Sequence, residues 1–256
     1  MVCDYDIGTV FRNKVGDECF IINVENSKQV TVMFYDGYYT TTQMSNVRKG
    51  SIKNPFSKRS RFHGFGVTDV PAMVNGTRNK YARLWESMIS RVYSGKDKAY
   101  DGVTIDEDWA LLSNFLKDVT SFKGCDKVIS DGWVLDKDIL SGDEKVYSKN
   151  TCCFVPPEIN SFMVSFGKPK GKYKMGVHFC NREKKFVSQG YKNKKQVCLG
   201  YFNNEDDAHS AYIENKREQL QHLLSKWKDD LDDKVIESLI SKFNIGSGNS
   251  LVRVVN

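Results

Sequence analysis

Several features are missing from this sequence, and each absence argues against a class of protein. No apolar run approaches the roughly 20 residues that a membrane-spanning helix needs. The beginning, MVCDYDIGTV, lacks the basic start and the apolar stretch of a signal peptide. The seven cysteines are odd in number and show no CxxC spacing, which argues against zinc ribbons and a disulfide framework. We therefore expect a cytoplasmic protein with reduced thiols and no membrane partner.

Charge is unevenly distributed along the chain, although its formal net value is only +6. Residues 1–57 are neutral, residues 58–98 carry +6 and residues 99–167 carry −6. Residues 168–198 contain ten Lys and Arg against one acidic residue, and residues 199–256 carry −3. Two basic segments thus flank an acidic one. Basic segments favour a polyanionic partner, whereas the acidic segment suits a metal site or a solvated surface.

The N-terminal part of the sequence reads as a small all-β domain followed by a linker. Residues 1–57 contain β-branched and aromatic runs separated by turn residues, GTVFRN, CFIINVEN and QVTVMFYD, which predict a small antiparallel β-barrel. Residues 58–78 follow as a basic linker that contains Arg59 and Arg61. This linker is either a plain solvated connection or an arm that follows a phosphate backbone.

The middle part, residues 79–165, is predicted to be helical and then to form a strand, turn, strand and short helix. Apolar residues at helical spacing predict an amphipathic helix over about 79–93, whose polar face carries Arg83 and Arg91 as candidate DNA contacts. A second helix is expected over about 108–119. A proline pair then begins the short helix at the end of this part.

The C-terminal part is predicted to be a three-stranded sheet with a packed helix over residues 166–225, followed by a last helix and tail over 226–256. The strands are expected at about 175–180, 185–191 and 196–202. Asn204 is a helix cap followed by acidic residues, as the helix dipole prefers. The fold class is therefore α+β, with a β-barrel, a helical and ββα middle, and this sheet.

One face of the predicted sheet must lie under the helix, because the apolar side of that helix needs a partner. The other face would show polar side chains among lysines, namely His178, Arg182, Lys185, Gln189, Tyr191, Lys194, Lys195 and Gln196. A narrow twisted sheet fits the major groove of DNA, where Lys adds sequence-independent affinity and Arg, Gln and His read base edges. The alternative is a cationic sheet whose lysines serve only solubility.

A short pattern in this region resembles the Apetala-type DNA-binding domain. The matching residues are Gly176-Val177, Lys185-Phe186-Val187-Ser188, Leu199-Gly200-Tyr201-Phe202, Glu205-Asp206-Asp207, Ala208 and Ala211-Tyr212. The resemblance implies a three-stranded sheet in the major groove. It places the base and phosphate contacts at Met175, His178, Cys180, Gln189, Tyr191, Gln196 and Cys198. Plant members have Arg or Trp at several of these positions, so their target sequence does not carry over.

The acidic segment resembles the ββα unit of HNH homing endonucleases of phages, which often precedes an Apetala-type domain. The resemblance places Asp136 and Asn160 as ligands of Mg²⁺ or Mn²⁺, and it places Asn150 or Thr151 near the orienting Asn. The position of the catalytic His is occupied by Lys137, and no His occurs between His63 and His178. Taken alone, the carboxylates of this segment would be read as a polar hairpin and turn.

Three roles for Lys137 remain open at this stage. It is a general base if burial or a nearby cation lowers its pKa. Alternatively it holds the phosphate, while Asp138 accepts the proton of a water on the metal. In the third case the site is inactive and the fold serves as a DNA clamp.

These observations predict a sequence-specific duplex DNA-binding protein of a phage or mobile element, acting in the cytoplasm of an infected or host bacterial cell. One hypothesis is a metal-dependent endonuclease that nicks or cleaves duplex DNA. The second is a catalytically inactive binder that regulates or interferes by occupying a site. A third is an RNA-binding or protein-interaction adaptor, which a preference for single-stranded RNA or salt-independent binding would indicate.

Overall fold

Residues 5–164, 171–192 and 195–245 are described by the computed structural model of the chain. They contain both helices and several small sheets, so the α+β class is confirmed. The chain divides into two units, residues 1–119 and 120–256. This division falls inside residues 79–165, which the sequence predicts as one nuclease-like domain.

The first unit combines a sheet with two longer helices. Its strands are β1 (Val10–Arg12), β2 (Glu18–Asn26), β3 (Gln29–Phe34), β4 (Tyr39–Thr42), β5 (Met73–Val74), β6 (Thr77–Arg78) and β7 (Thr104–Ile105). Its α-helices are α1 (Met44–Arg48), α2 (Lys80–Tyr93) and α3 (Leu112–Val119). Short 3₁₀ turns occur at Lys58–Ser60, Lys98–Tyr100 and Glu107–Ala110.

The N-terminal sheet is an antiparallel meander whose strands pair in the order β1-β2-β3-β4. Alternate residues of β2 and β3 are buried, so one face forms an apolar core, as the alternating pattern predicts. Val47 of α1 packs into this core. No hydrogen-bonded pairing joins β1 to β4 within residues 5–164, so the pairings do not by themselves close the predicted barrel.

The predicted linker, residues 58–78, is partly built into this unit. The Ser57 hydroxyl, just before it, donates to the Asp17 carboxylate at 2.7 Å. Arg59 Nη1 donates to the carbonyl oxygen of Val15 at 3.1 Å. The start of the segment is therefore held against the N-terminal sheet by hydrogen bonds, which a plain solvated linker would not make.

Helix α2 begins as predicted, because the Asn79 side chain accepts a hydrogen bond from the Tyr81 amide at 2.9 Å. The buried Trp85 donates through Nε1 to the carbonyl oxygen of Trp109 at 2.7 Å, which joins α2 to the segment before α3. Helix α3 begins at Leu112 and not near residue 108. The reason is that Glu107–Ala110 forms a 3₁₀ turn capped by the Asp106 side chain.

The second unit contains two small sheets and four helices. Its strands are β8 (Val134–Asp136), β9 (Val146–Tyr147), β10 (Cys153–Val155), β11 (Val177–Cys180), β12 (Lys185–Lys192) and β13 (Lys195–Phe202). Its helices are α4 (Lys127–Ser130), α5 (Pro157–Val164), α6 (Glu205–Trp227) and α7 (Asp233–Lys242). Strand β8 pairs antiparallel with β10, and α5 directly follows β10. The order of elements predicted for residues 135–160 is therefore present.

The C-terminal helices of the second unit pack against its ββα segment. The Ser238 hydroxyl of α7 donates to the carbonyl oxygen of Ile139 at 2.6 Å. At the end of α6, the Trp227 ring meets the Trp133 ring at a centroid distance of 5.8 Å. In the parts of the chain that the structure describes, no helix combines the length and the apolar character required to cross a bilayer.

Candidate nucleic-acid interface

Helix α6 covers one face of the β11-β12-β13 sheet at close range. Ser188 and Gly190 of β12 face the helix and are buried. A Cβ atom at Gly190 would lie only 2.3 Å from Oδ1 of Asn215, so the close approach requires glycine. Asn215 Oδ1 also accepts a hydrogen bond from the Tyr191 amide at 3.2 Å. This face is therefore unavailable to a partner.

The start of α6 is fixed by its cap and by one lysine of the basic segment. The Asn204 side chain accepts a hydrogen bond from the Asp207 amide at 2.8 Å. Lys174 forms an ion pair with Asp206, and its backbone amide donates to Glu205. This ion pair lowers the pKa of Asp206 and raises the pKa of Lys174. Lys174 thus serves the sheet–helix junction and is not a free surface cation.

The opposite face of the sheet is open, and its side chains follow from the strand register. Residues that pair across antiparallel strands point to the same side of a sheet. The cross-strand rows on this face are Cys180–Lys185, His178–Val187–Tyr201, Gln189–Cys198 and Tyr191–Gln196. Val187 is buried between its neighbours, whereas His178, Tyr191, Gln196, Cys198 and Tyr201 are exposed. We call this set of rows the open face.

A bulge in β13 places Tyr201 on this face, which the sequence did not predict. Ser188 pairs with Gly200 and Gln189 pairs with Cys198, so Leu199 is the extra residue. Gly200 has a φ of +151°, a conformation that favours glycine. Because of this shift, Tyr201 lies on the same side as Cys198, with 54% of its surface exposed. Strict alternation along β13 would have placed Tyr201 on the covered side.

The cations predicted to contact DNA lie near the ends of the strands and not at the centre of the open face. Lys185 pairs with Cys180 at one end of the open face, and Arg182 stands in the adjoining turn with 91% of its side chain exposed. At the other end of β12, the predicted contact Lys195 pairs with Lys192, and alternation along the strand places this exposed row on the side of Ser188 and Gly190. The predicted contact Lys194 lies outside the described residues. The centre of the open face therefore offers amide, aromatic, imidazole and thiol groups, with Lys185 and Arg182 at one end.

An amide pair lines a cleft that side chains of the open face share with Tyr212 of α6. The cleft has a volume of about 480 Å³ and is lined by Gly176, Val177, His178, Gln189, Tyr191, Gln196 and Tyr212. Nε2 of Gln196 donates a hydrogen bond to Oε1 of Gln189 at 2.9 Å. Met175, another predicted contact, is half-buried at the cleft margin, where its carbonyl oxygen lies 2.9 Å from Nδ1 of His209.

The other predicted arginine contacts, Arg59, Arg61, Arg83 and Arg91, belong to the first unit and differ in the contacts that they make. Arg59 donates to Val15 as described above, whereas Arg61 and Arg83 are exposed. The guanidinium of Arg91 lies 5.6 Å from the ring centroid of Tyr100, a cation–π arrangement. Arg61 and Arg83 are therefore the more accessible cations of this group.

The ββα segment holds Asp136 as a buried carboxylate at the end of β8. Its Oδ1 atom accepts hydrogen bonds from the amides of Asp138 and Ile139, each at 2.8 Å. Burial raises the pKa of Asp136, and these two hydrogen bonds oppose that rise. Cys153 stands directly opposite Asp136 in β10 and is also buried. The carboxylate thus has a structural role in the turn that follows β8.

Lys137, at the position of the catalytic His in the HNH family, is tied to its neighbours. Its ammonium forms an ion pair with Asp138 and lies 5.8 Å from the ring centroid of Tyr147. Only 11% of the Lys137 side chain is exposed. Lys242 of α7 donates to the carbonyl oxygen of Asp138, so a second ammonium adjoins this turn, and the sequence had not indicated it.

The remaining predicted site residues are distributed over the loop and the helix. Asn150 is exposed in the loop before β10, and its amide donates to Ser148 Oγ at 3.3 Å. Thr151, the alternative to Asn150, is buried and donates to the carbonyl oxygen of Val146 at 2.7 Å. Asn160 lies in α5, which packs against β8.

The two predicted metal ligands, Asp136 and Asn160, do not belong to a cluster of metal-binding side chains. Across the described ranges, no group of three or more His, Cys, Asp or Glu side chains is arranged to hold an ion. Mg²⁺ commonly binds through one or two carboxylates together with waters and substrate phosphates. Oδ1 of Asp136 is engaged by backbone amides. Its other oxygen and the Asn160 amide are the groups that the predicted Mg²⁺ or Mn²⁺ site would use.

Comparison with known proteins adds no relative to this description. No protein-family model, no curated protein and no solved structure matches the chain. The function is therefore inferred from the geometry of the open face and of the ββα segment.

Proposed function

We propose that this protein binds duplex DNA by placing the open face of the β11-β12-β13 sheet in the major groove. The observation that carries the proposal is the difference between the two faces of the sheet. Helix α6 occupies one face, whereas the other is open, with polar and aromatic groups at its centre and the exposed cations Arg182 and Lys185 at one end. This arrangement suits base contacts in the middle and phosphate contacts at that end.

The salt dependence of binding tests this proposal. Each lysine that neutralises a phosphate releases counterions, so log K falls with log salt by about 0.9 per contact. A triple variant, Lys185→Ala, Lys192→Ala and Lys195→Ala, removes exposed lysines from the two ends of β12 and from the start of β13. We expect weaker binding of a fluorescent duplex and a salt slope reduced by about 2 to 3.

The matched control removes the same charge from elsewhere in the chain. Lys28, Lys49 and Lys53 are exposed lysines of the first unit, and their triple alanine variant has the same net charge as the sheet variant. We expect this control to keep most of the wild-type slope. Equal slopes for the two triple variants would show that the sheet is not the binding surface.

A second candidate function is metal-dependent hydrolysis of the bound DNA at the ββα segment. The observation that favours it is the order of β8, β10 and α5, with Asp136 at the end of the first strand and Asn160 in the helix. Bound Mg²⁺ or Mn²⁺ would stabilise charge on the scissile phosphate. Asp138 and Lys137 would move a proton or hold the phosphate, and Asn150 would orient a neighbouring group.

The non-catalytic alternative has its own support in the same turn. The hydrogen bonds of Asp136 explain its carboxylate as a turn-stabilising group, and the Lys137 ammonium is paired with Asp138. In this version the segment acts as a clamp, and the protein regulates or interferes by occupying its site.

The variant Asp136→Asn separates the two versions without removing the turn. An Asn oxygen still accepts both backbone hydrogen bonds, while the negative charge for a cation is lost. If the protein is a nuclease, the wild type nicks supercoiled plasmid in Mg²⁺ or Mn²⁺. The plasmid then stays intact with this variant or with chelator, although DNA binding persists. Intact plasmid with the wild-type protein under both metals, together with full binding, would establish the non-catalytic version.

A further inference from the structure

We infer that Gln196 reads an adenine in the major groove and that Gln189 is a positioning residue for it. This inference rests on the proposed binding of duplex DNA and names the base that the open face selects. It is carried by the hydrogen-bonded amide pair at the edge of the cleft.

The two glutamines come from different strands and meet on the open face. Gln189 is opposite Cys198 in the ladder, and Gln196 is opposite Tyr191, so the glutamines are diagonal neighbours. Gln196 is exposed, whereas Gln189 is half-buried. The more exposed amide is thus held by a less mobile neighbour, which reduces the conformational entropy it loses on binding.

The hydrogen bond between them leaves the recognition edge of Gln196 unoccupied. One N–H of the Gln196 amide donates to Gln189, and in the described part of the chain neither side chain has another hydrogen-bond partner. The Gln196 oxygen and its second N–H remain for a ligand. In the proposed arrangement the N–H trans to the oxygen donates to Gln189, so the remaining N–H is cis to the oxygen and the two form an acceptor and a donor on one edge of the amide.

Adenine is the base whose major-groove edge complements this pair of groups. It presents an N6 amino donor beside an N7 acceptor, and a glutamine amide binds both at once. Guanine presents two acceptors there, so its O6 atom would oppose the glutamine oxygen. Thymine and cytosine offer a single hydrogen-bonding group each. The amide geometry therefore selects A·T over the other base pairs at one position.

The test begins with selection of preferred sequences from a pool of random duplexes by the full chain. We expect one adenine position whose preference disappears with Gln196→Ala, while the preferences at other positions remain. Replacing that adenine by 7-deazaadenine, which lacks only the N7 acceptor, should weaken wild-type binding by about tenfold. The same replacement should leave binding by Gln196→Ala unchanged.

Variants of Gln189 test the positioning role separately from overall affinity. Gln189→Leu removes the acceptor for Gln196, so we expect it to reduce the adenine preference. Gln189→Glu keeps that acceptor, and we expect lower affinity for all duplexes but a retained adenine preference. Circular dichroism and thermal melting of each variant verify that the sheet is folded.

The outcomes distinguish this inference from the proposed function. Two outcomes would overturn adenine reading and leave DNA binding in place. In the first, binding is salt-sensitive and Gln196→Ala selects the same sequence as the wild type. In the second, binding is salt-sensitive and no adenine is selected. Failure of the wild-type chain to bind any duplex would overturn both. Loss of adenine preference in Gln196→Ala alone supports both.

Discussion

Two opposing effects act on the pKa of the buried Asp136 carboxylate. Burial disfavours its charge, whereas the amides of Asp138 and Ile139 stabilise the charged oxygen, and burial is the larger effect on its pKa. A group whose pKa is raised by folding binds its proton more readily in the folded state. The contribution of Asp136 to stability is therefore most favourable below the pKa that Asp136 has in the unfolded chain, and it is lost as the pH rises through the folded pKa.

The variant Asp136→Asn should remove this pH-dependent loss while it preserves both backbone hydrogen bonds. At neutral pH we expect a melting temperature a few degrees above that of the wild type, because the buried charge is gone. The difference should shrink as the pH is lowered through the raised pKa. Thermal melts over a pH series measure it. A wild-type protein that melts higher than the variant at neutral pH would mean that the charge is net stabilising.

Gly190 is a second residue whose identity is dictated by its surroundings. A Cβ atom there would lie 2.3 Å from Asn215 Oδ1 and 2.9 Å from Leu199 Cδ1. We expect Gly190→Ala to destabilise the second unit by about 1 to 3 kcal/mol, since α6 must move away from β12. Gly171→Ala is the control, because its Cβ would have no neighbour within 4 Å. Equal denaturation midpoints for these variants would contradict the close packing.

Among the elements, α6 depends on its N-terminal cap for its position against the sheet. The Asn204 side chain caps the start of this helix and accepts a hydrogen bond from the Asp207 amide. We expect Asn204→Ala to cost about 1 kcal/mol of stability and Asn204→Ser to cost much less, since serine also caps. Urea denaturation compares the two. Similar losses for both variants would show that the Asn204 cap does not hold the helix.

The sequence predicted most elements because their signals are local. Alternation gave the β12 and β13 strands within one or two residues, and Asn79 and Asn204 marked the starts of α2 and α6. The polar run YTTT of β4 has no apolar alternation, and it was missed because its pairing with β3 stabilises it. Strands and helices were therefore predicted where the sequence carries a local pattern.

The candidate interface was predictable in outline but not in detail. The prediction of an open face with His178, Gln189, Tyr191 and Gln196 agrees with the structure. Tyr201 was missed because the bulge in β13 reverses its side. The Gln189–Gln196 hydrogen bond also escaped prediction, since a cross-strand diagonal depends on a register that alternation alone does not give.

At the scale of the whole molecule, the modest net charge of +6 conceals an uneven distribution of charge. The cations of residues 168–198 differ in their surroundings: Lys174 is paired with Asp206, whereas Lys185, Lys192 and Lys195 are exposed at the ends of β12 and at the start of β13. We therefore expect the position of the charge, and not the total charge, to control DNA affinity.

The most direct test of the central claim uses the chain's own cysteines as reporters of which face contacts DNA. Cys198 is exposed at the centre of the open face, whereas Cys125 is partly exposed near α4, outside the sheet. Alkylation rates of both thiols would be measured by mass spectrometry with and without saturating duplex. We expect bound duplex to slow alkylation of Cys198 and to leave the alkylation rate of Cys125 unchanged. Unchanged alkylation of Cys198 while duplex is bound would contradict the central claim.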